Sequence, residues 1–364
     1  MARQIPGIKG GETTGRSVVP TLDDVAQHAN VSTATVSRCL NYPDRVVEKT
    51  RSRVMAAIHE LGYSPNFGAR ALAVRRTNTI GAIIPTMENA VFARGIQAFQ
   101  EELRSSGVTL LIASSSYRED LEEEQVRTLV ARGADGLLLI GYHRRDEIYR
   151  FLETQGVPAL ITWAYDPDAP QISIGFDNRL AMMTLAREVI ALGHRQIGVI
   201  SAEQAGNDRA SERVLGIRAA MEEAGLDPGS LTLIETEFGI ERGADAFHTM
   251  MAGPTRPTVV MCGNDVLAIG ALGRAKKMGL RVPDDISITG FDDIELARTA
   301  DPDLTTVHVP HREMGREAAR LLVRMVAGQT QNKSIELKTQ RCMRNTLGSP
   351  GPVRATGKTA RQTP

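Results

Sequence analysis

A chain of 364 residues with 42% hydrophobic and 24% charged side chains has room for a large core and more than one domain, and its composition is that of a globular protein. Its formal charge is zero, which would argue against a nucleic-acid partner if the charge were evenly spread. It is not: residues 1–78 hold eleven Lys or Arg against six Asp or Glu, leaving 32 basic and 37 acidic residues for the rest, so a basic module precedes an acidic body. No stretch near the start has the apolar core of a signal peptide, and none is long enough to span a membrane. Three widely separated cysteines (39, 262, 342) show no metal-ligand spacing and fit reduced thiols in a cytoplasm.

Residues 1–19 lack hydrophobic periodicity and read as a disordered arm. Residues 20–64 read as three helices. Thr21 with Asp24 three positions on makes a shortened capping box, Asn30 makes a turn, and Ser32 caps a second helix. A third helix over 47–61 puts Val54, Ala57, Ile58 and Leu61 on one face and ends at Gly62, with Pro65 preventing its continuation. Two short helices around a tight turn form a module that fits the DNA major groove. Residues 65–78 follow as a linker containing about two turns of possible helix, too short to be stable alone in water.

From residue 79 the rhythm changes to short apolar runs alternating with amphipathic helices. The runs predict strands at 80–84, 109–113, 136–140, 159–162, 196–200, 231–235, 258–262 and 286–290, with a glycine before most of them where a helix should end. That alternation argues for parallel sheets covered by helices. Eight strands suit two doubly wound subdomains, with a closed eight-stranded barrel as the alternative. Residues 347–364, rich in Gly, Pro, Thr and basic side chains, read as a disordered tail.

Several phrases occur together in one order: Asp23-Asp24-Val25-Ala26, Val31-Ser32-Thr33-Ala34-Thr35-Val36-Ser37-Arg38, Leu61-Gly62-Tyr63-Ser64-Pro65-Asn66, Gly193-His194-Arg195-Gln196-Ile197, Asn264-Asp265-Val266-Leu267-Ala268, and Gly290-Phe291-Asp292-Asp293. On these the chain resembles the lactose-repressor (LacI) family of bacterial transcription regulators over residues 20–346. The resemblance implies an all-α helix-turn-helix headpiece and an α/β core of two doubly wound subdomains, similar to periplasmic binding proteins. It also implies a homodimer on a pseudo-palindromic double-stranded operator, with a small effector and no cofactor. The lobes would comprise residues 79–175 with 307–337, and 176–306 with 338–346. The ending departs from the usual family pattern after Arg341.

The resemblance places Thr33, Ala34 and Arg38 at base-reading positions. Arg38 can donate two hydrogen bonds to guanine O6 and N7, and its bland alternative is a solvated helix charge. Thr35, Ser37 and Asn41 suit phosphate contacts, which position without specifying. In the linker, Asn66 would cap a hinge helix, small Ala69 would permit close approach, and Leu72 would be a minor-groove wedge or a packing residue. For the effector cleft the resemblance gives Phe92, Trp163, Arg213, Phe238, Asn264 and Asp292. Asp292 and Asn264 can bind adjacent hydroxyls, Arg213 a hydroxyl or a carboxylate, and the aromatics a ring face. Phe92 and Phe238 could instead be core aromatics and Arg213 an outer-face charge, while Trp163 is expected at the cleft rim. The phrases around 86–92 and 174–178 look closest to gluconate-type members, which favours a sugar or sugar acid, with a purine as the alternative.

A solute receptor for an importer would account for the core alone, but has no use for residues 20–74. An enzyme on such a fold would need chemistry the sequence does not display. It has no Gly-rich phosphate loop, no Gly-x-Ser-x-Gly turn and no metal-ligand cluster, and His28, His59 and His194 read as surface or helix-end residues.

Overall fold

The computed structural model describes residues 19–64, 76–88, 90–329 and 333–351. Asn66, Ala69 and Leu72 therefore lie outside the described residues. The chain divides into two compact units, 1–75 and 76–364.

In the first unit α1 (Leu22–His28), α2 (Thr33–Asn41) and α3 (Glu48–Leu61) pack around Val25, Ala26, Ala29, Val36, Cys39, Val54 and Ala57. The capping box forms as the sequence predicts. The Thr21 amide donates to Asp24 Oδ2 at 2.7 Å, and the Asp24 amide donates back to Thr21 Oγ1 at 3.3 Å. Asn30 takes a left-handed φ of 47° at the turn. Ser32 Oγ then accepts from the Thr35 amide at the start of α2. Gly62 closes α3 at φ 64°, a conformation that costs a residue with a Cβ and not glycine.

The second unit contains two open parallel sheets, which excludes the closed barrel. The larger has the order β11-β5-β4-β3-β1-β2, with β1 (Thr79–Ile84), β2 (Thr109–Ser114), β3 (Gly136–Ile140), β4 (Ala159–Thr162), β5 (Ser173–Gly175) and β11 (Ile335–Glu336). Central β3, sequence GLLLI, is buried at every position, whereas edge strand β2 is only partly covered. The smaller sheet has the order β7-β6-β8-β9, from β6 (Ile197–Ser201), β7 (Thr232–Glu235), β8 (Val259–Cys262) and β9 (Ser287–Thr289). The helices are α4 (Ala90–Ser105), α5 (Glu119–Ala131), α6 (Asp146–Gln155), α7 (Asn178–Ala191), α8 (Asp208–Glu223), α9 (Ile240–Ala252), α10 (Asp265–Lys277), α11 (Glu295–Thr299) and α12 (His311–Val326).

All eight predicted strands are present within a residue or two of their expected ends. Four more are not foreshadowed: β5, β10 (Thr306–His308), β11 and β12 (Gln340–Cys342). Each has three residues or fewer, below the length at which a period can be read. They lie where the chain passes between the sheets: after β5, between β9 and α12, and after β11. There β10 and β12 form an antiparallel ribbon with Thr306 opposite Cys342.

The expected disorder from residue 347 does not begin there. The Gly348 amide donates to Ser287 Oγ at 3.1 Å, and the Gly348 carbonyl lies 2.8 Å from His194 Nε2. His194 is correspondingly fully buried, its other ring nitrogen 2.8 Å from Thr258 Oγ1, rather than on the surface. A linker-like composition is ordered here because side chains of the smaller-sheet lobe satisfy its backbone.

Candidate functional site

The reading helix comes first. α2 buries Val36 and Cys39, which turns Ala34 and Arg38, four residues apart, toward solvent. The Arg38 side chain has no hydrogen bond or ion pair shown among the described residues, so its guanidinium is available to a partner. Thr33 is partly exposed beside them. Thr35 Oγ1 lies 2.9 Å from Ser32 Oγ, and Asn41 Nδ2 donates to Ser37 Oγ at 3.2 Å. These three residues are occupied locally yet remain at the surface.

In the second unit all six residues expected at an effector site line one pocket: Phe92, Trp163, Arg213, Phe238, Asn264 and Asp292. Its walls come from both lobes. Phe92 belongs to α4, and Trp163 follows β4. Arg213 lies on α8, Phe238 precedes α9, Asn264 caps α10, and Asp292 follows β9.

Arg213 is buried, not on an outer face. Its Nε donates to Asn178 Oδ1 at 2.9 Å and its Nη1 to the Gly263 carbonyl at 2.6 Å, while the guanidinium lies 3.8 Å from the centre of the Phe291 ring. Asn178 in turn donates to the Trp163 carbonyl at 3.0 Å. The cleft arginine is thus fixed within its own lobe, and through Asn178 is tied to Trp163 of the other, before any ligand arrives. Its Nη2 is 3.9 Å from Asp292 Oδ1, an ion pair too long for a hydrogen bond.

Asn264 shows how one residue can serve a helix and a site. Its Oδ1 accepts from the Leu267 amide at 2.9 Å as the N-cap of α10, which leaves Nδ2 buried without a partner. Asp292 Oδ1 is likewise buried and unpartnered. Burial pushes the Asp292 carboxyl up to about 7, against the opposing pull of Arg213. Adjacent Asp293 has the opposite fate. It pairs with Arg298, Arg344 and His308, and despite its burial these hydrogen bonds hold it down at about 2. The Asp-Asp dipeptide therefore splits into one structural anchor and one cavity wall.

Trp163 is not at the rim. It is 2% exposed, edge-to-face with Phe92 at 5.4 Å between ring centres and stacked on His311 at 6.1 Å. Phe92 is also buried, while Phe238 is only partly so and leans on Tyr117 at 5.7 Å. Trp163 (φ 59°), Asp292 (φ 106°) and Tyr117 (φ 59°) are three of the seven non-glycine residues with positive φ among those described. Such conformations cost about 1–3 kcal/mol each and gather at sites that the surroundings over-determine.

Among the cavity residues that the sequence did not reveal, Arg209 is the charged one. It lies one turn before Arg213 on the same face of α8, the spacing that could have marked it. Its Nη1 donates to the Ile140 carbonyl at 3.1 Å and to Asp208 Oδ1 at 2.8 Å, and Asp208 Oδ2 accepts from the Tyr142 amide at 2.6 Å. A Cβ at Gly141 (φ 69°) would collide with both residues, so glycine allows this close approach of the lobes.

No group of three or more His, Cys, Asp or Glu placed to hold a metal occurs among the described residues, and no described helix is long and apolar enough to cross a membrane.

Residues 21–66 match the model of bacterial regulatory proteins of the lacI family, and residues 186–347 match a periplasmic binding protein-like domain. The chain is 36% identical over 338 residues to the HTH-type transcriptional repressor PurR of Yersinia pestis (strain Pestoides F), covering 92% of this chain and 98% of that one. The chain belongs to the lacI family. As a lacI-family transcription regulator it is also similar in fold to solved members. A LacI-family transcriptional regulator from Silicibacter pomeroyi superposes with a TM-score of 0.83 at 26% identity, over 90% of this chain and 99% of that one. The lac repressor dimer bound to operator and the anti-inducer ONPF gives 0.79 at 28% identity, over 90% and 98%. An importer receptor does not account for a lacI-family headpiece, and the members named here are transcription regulators.

Proposed function

We propose that this lacI-family regulator is a cytoplasmic homodimeric repressor whose grip on a pseudo-palindromic operator is set by a small effector in the cleft. Thr33, Ala34 and Arg38 read base edges, with Thr35, Ser37 and Asn41 on phosphates. Asn66, Ala69 and Leu72 form the hinge that joins the two half-sites at the minor groove.

The effector is a hydroxylated molecule, a sugar or sugar acid. The observation that carries this reading is the pairing of an unpartnered buried acceptor, Asp292 Oδ1, with an unpartnered buried donor, Asn264 Nδ2, on one cavity wall beside Arg213. Adjacent hydroxyls satisfy both at once, since each hydroxyl donates and accepts. Leaving them unsatisfied costs about 1–3 kcal/mol apiece, so a ligand lacking such groups is selected against. A purine effector is the second reading, favoured by the name of the Yersinia relative.

A thermal-shift screen of the full chain against sugars, sugar acids and purines separates the two. The expected result is a rise in melting temperature with a sugar or sugar acid; a rise with purines alone would overturn the hydroxylated-effector reading.

A further inference from the structure

Eight buried side-chain nitrogens and oxygens have no hydrogen-bond partner among the described residues, and five of them belong to four residues in or directly beside the cleft. They are Trp163 Nε1, Asn264 Nδ2, Asp292 Oδ1, and both ring nitrogens of His311. Such atoms are few in folded proteins and ask for an explanation one by one. Trp163, Asn264 and Asp292 line the cavity, and His311 lies directly behind it, against Trp163 and Asp292.

His311 has no role in the site as drawn so far. It is the first residue of α12, which packs on α4 and on strands β3, β4 and β5 of the larger sheet. Its ring is buried, stacks on Trp163, and places Nε2 3.8 Å from Asp292 Oδ1. That separation is too long for a direct hydrogen bond, yet a single oxygen lying about 2.8 Å from each atom fits between them. Burial holds the imidazole down at about 3 against the opposing pull of the nearby Asp292 backbone, which is too poorly aligned to count as a hydrogen bond, so the ring is neutral and offers one donor and one acceptor. Asp292 belongs to the lobe of the smaller sheet, and His311 to that of the larger.

We infer that His311 is an effector-binding and specificity-determining residue, and that one effector hydroxyl bridges the lobes by bonding at once to Asp292 Oδ1 and His311 Nε2. A hydroxyl is the group that suits this position, because it donates to the carboxyl oxygen and accepts from the ring, or reverses both roles with the other tautomer. A methyl or ring C–H satisfies neither atom. The bridge would join the lobes at a point where they already lie close, Asp292 Oδ1 and His311 Nε2 being 3.8 Å apart. The inference rests on the hydroxylated-effector reading above.

Trp163 is the only tryptophan in the chain and stacks directly on His311, so its fluorescence reports occupancy of this corner. The test is a titration of the full-length protein with a panel of aldoses, aldonic acids and hypoxanthine, repeated with His311→Phe and His311→Gln. For the sugar or acid that gives a saturable change in wild type, His311→Phe weakens binding about tenfold or more, the loss of one buried hydrogen bond with its partner left unsatisfied. His311→Gln, which keeps a donor and an acceptor, stays within about threefold. In wild-type protein labelled with 15N, the ring resonances of His311 shift on saturation, a readout that does not depend on any variant folding. Equal binding by His311→Phe, or unmoved ring resonances, would mean that the effector does not touch His311, and would overturn the inference while leaving the hydroxylated effector intact. A response to hypoxanthine alone, or to no member of the panel, would overturn the hydroxylated-effector reading itself, and this inference with it.

Discussion

The headpiece and the cleft present unused hydrogen-bonding groups in opposite ways. On α2 Ala34 and Arg38 are exposed and Thr33 partly so, and the Arg38 guanidinium waits in solvent for a partner. In the cleft they are buried, and Arg213 and Asn264 are already held by other bonds. An exposed group loses little when its partner is absent, so a protein can carry a reading surface without stability cost. A buried one destabilises the empty protein and discriminates strongly when a ligand arrives. The difference predicts that substitutions on the reading face of α2 change binding alone, while cleft substitutions change binding and stability together.

The largest effect falls on Arg213. Arg213→Ala removes donors from Asn178 and the Gly263 carbonyl and strips Asp292 of its countercharge, and should cost about 3 kcal/mol in urea unfolding as well as the effector response. A variant as stable as wild type would erase the contrast. Arg38→Ala should weaken operator binding by about 1–3 kcal/mol and relax preference at one base of each half-site. Its unfolding free energy should stay within about 0.5 kcal/mol of wild type. Binding assays on operators changed base by base check this, and undiminished discrimination would remove Arg38 from the reading face. Thr21→Ala opens the capping box and should destabilise the headpiece by about 1 kcal/mol, seen in its thermal unfolding.

The subtlest test uses pH. A carboxyl raised from its ordinary value to about 7 keeps its proton in the folded protein where the unfolded chain has lost it. The stability this contributes is full below about pH 4 and is lost as pH rises through 7. His311, lowered to about 3, has the opposite linkage but is present in both chains being compared. Asp292→Asn should therefore gain melting temperature relative to wild type as pH goes from 5 to 8, and a constant difference would show that Asp292 ionises normally.

The two regions were also unequally legible. The headpiece declares itself locally, because Thr21, Ser32 and Gly62 are caps whose chemistry acts within three residues. Strands such as β3 and β8 appear as continuous apolar runs. The cleft residues are scattered from 92 to 292, and no periodicity joins them; family position placed them on one cavity. That knowledge did not reach Arg209, whose one-turn spacing from Arg213 was the signal available, or His311, because residue type alone does not say that a histidine after Pro310 is turned inward. It also set Trp163 at the rim, when a residue at φ 59° stacked on a buried imidazole lies at the back wall. The tail failed for a related reason. Leu347 and Gly348 look like linker, and the groups that order them, Ser287 and His194, lie far away in sequence.

The central claim is that the cleft controls the headpiece. Its most direct test is the operator dissociation constant of the full-length protein, measured at fixed salt with and without saturating amounts of a sugar or sugar acid that binds the cleft. The account predicts a change of about 5–150-fold, matched by an equal change in effector affinity when operator is present. An operator affinity unmoved by a ligand that demonstrably fills the cleft would contradict it.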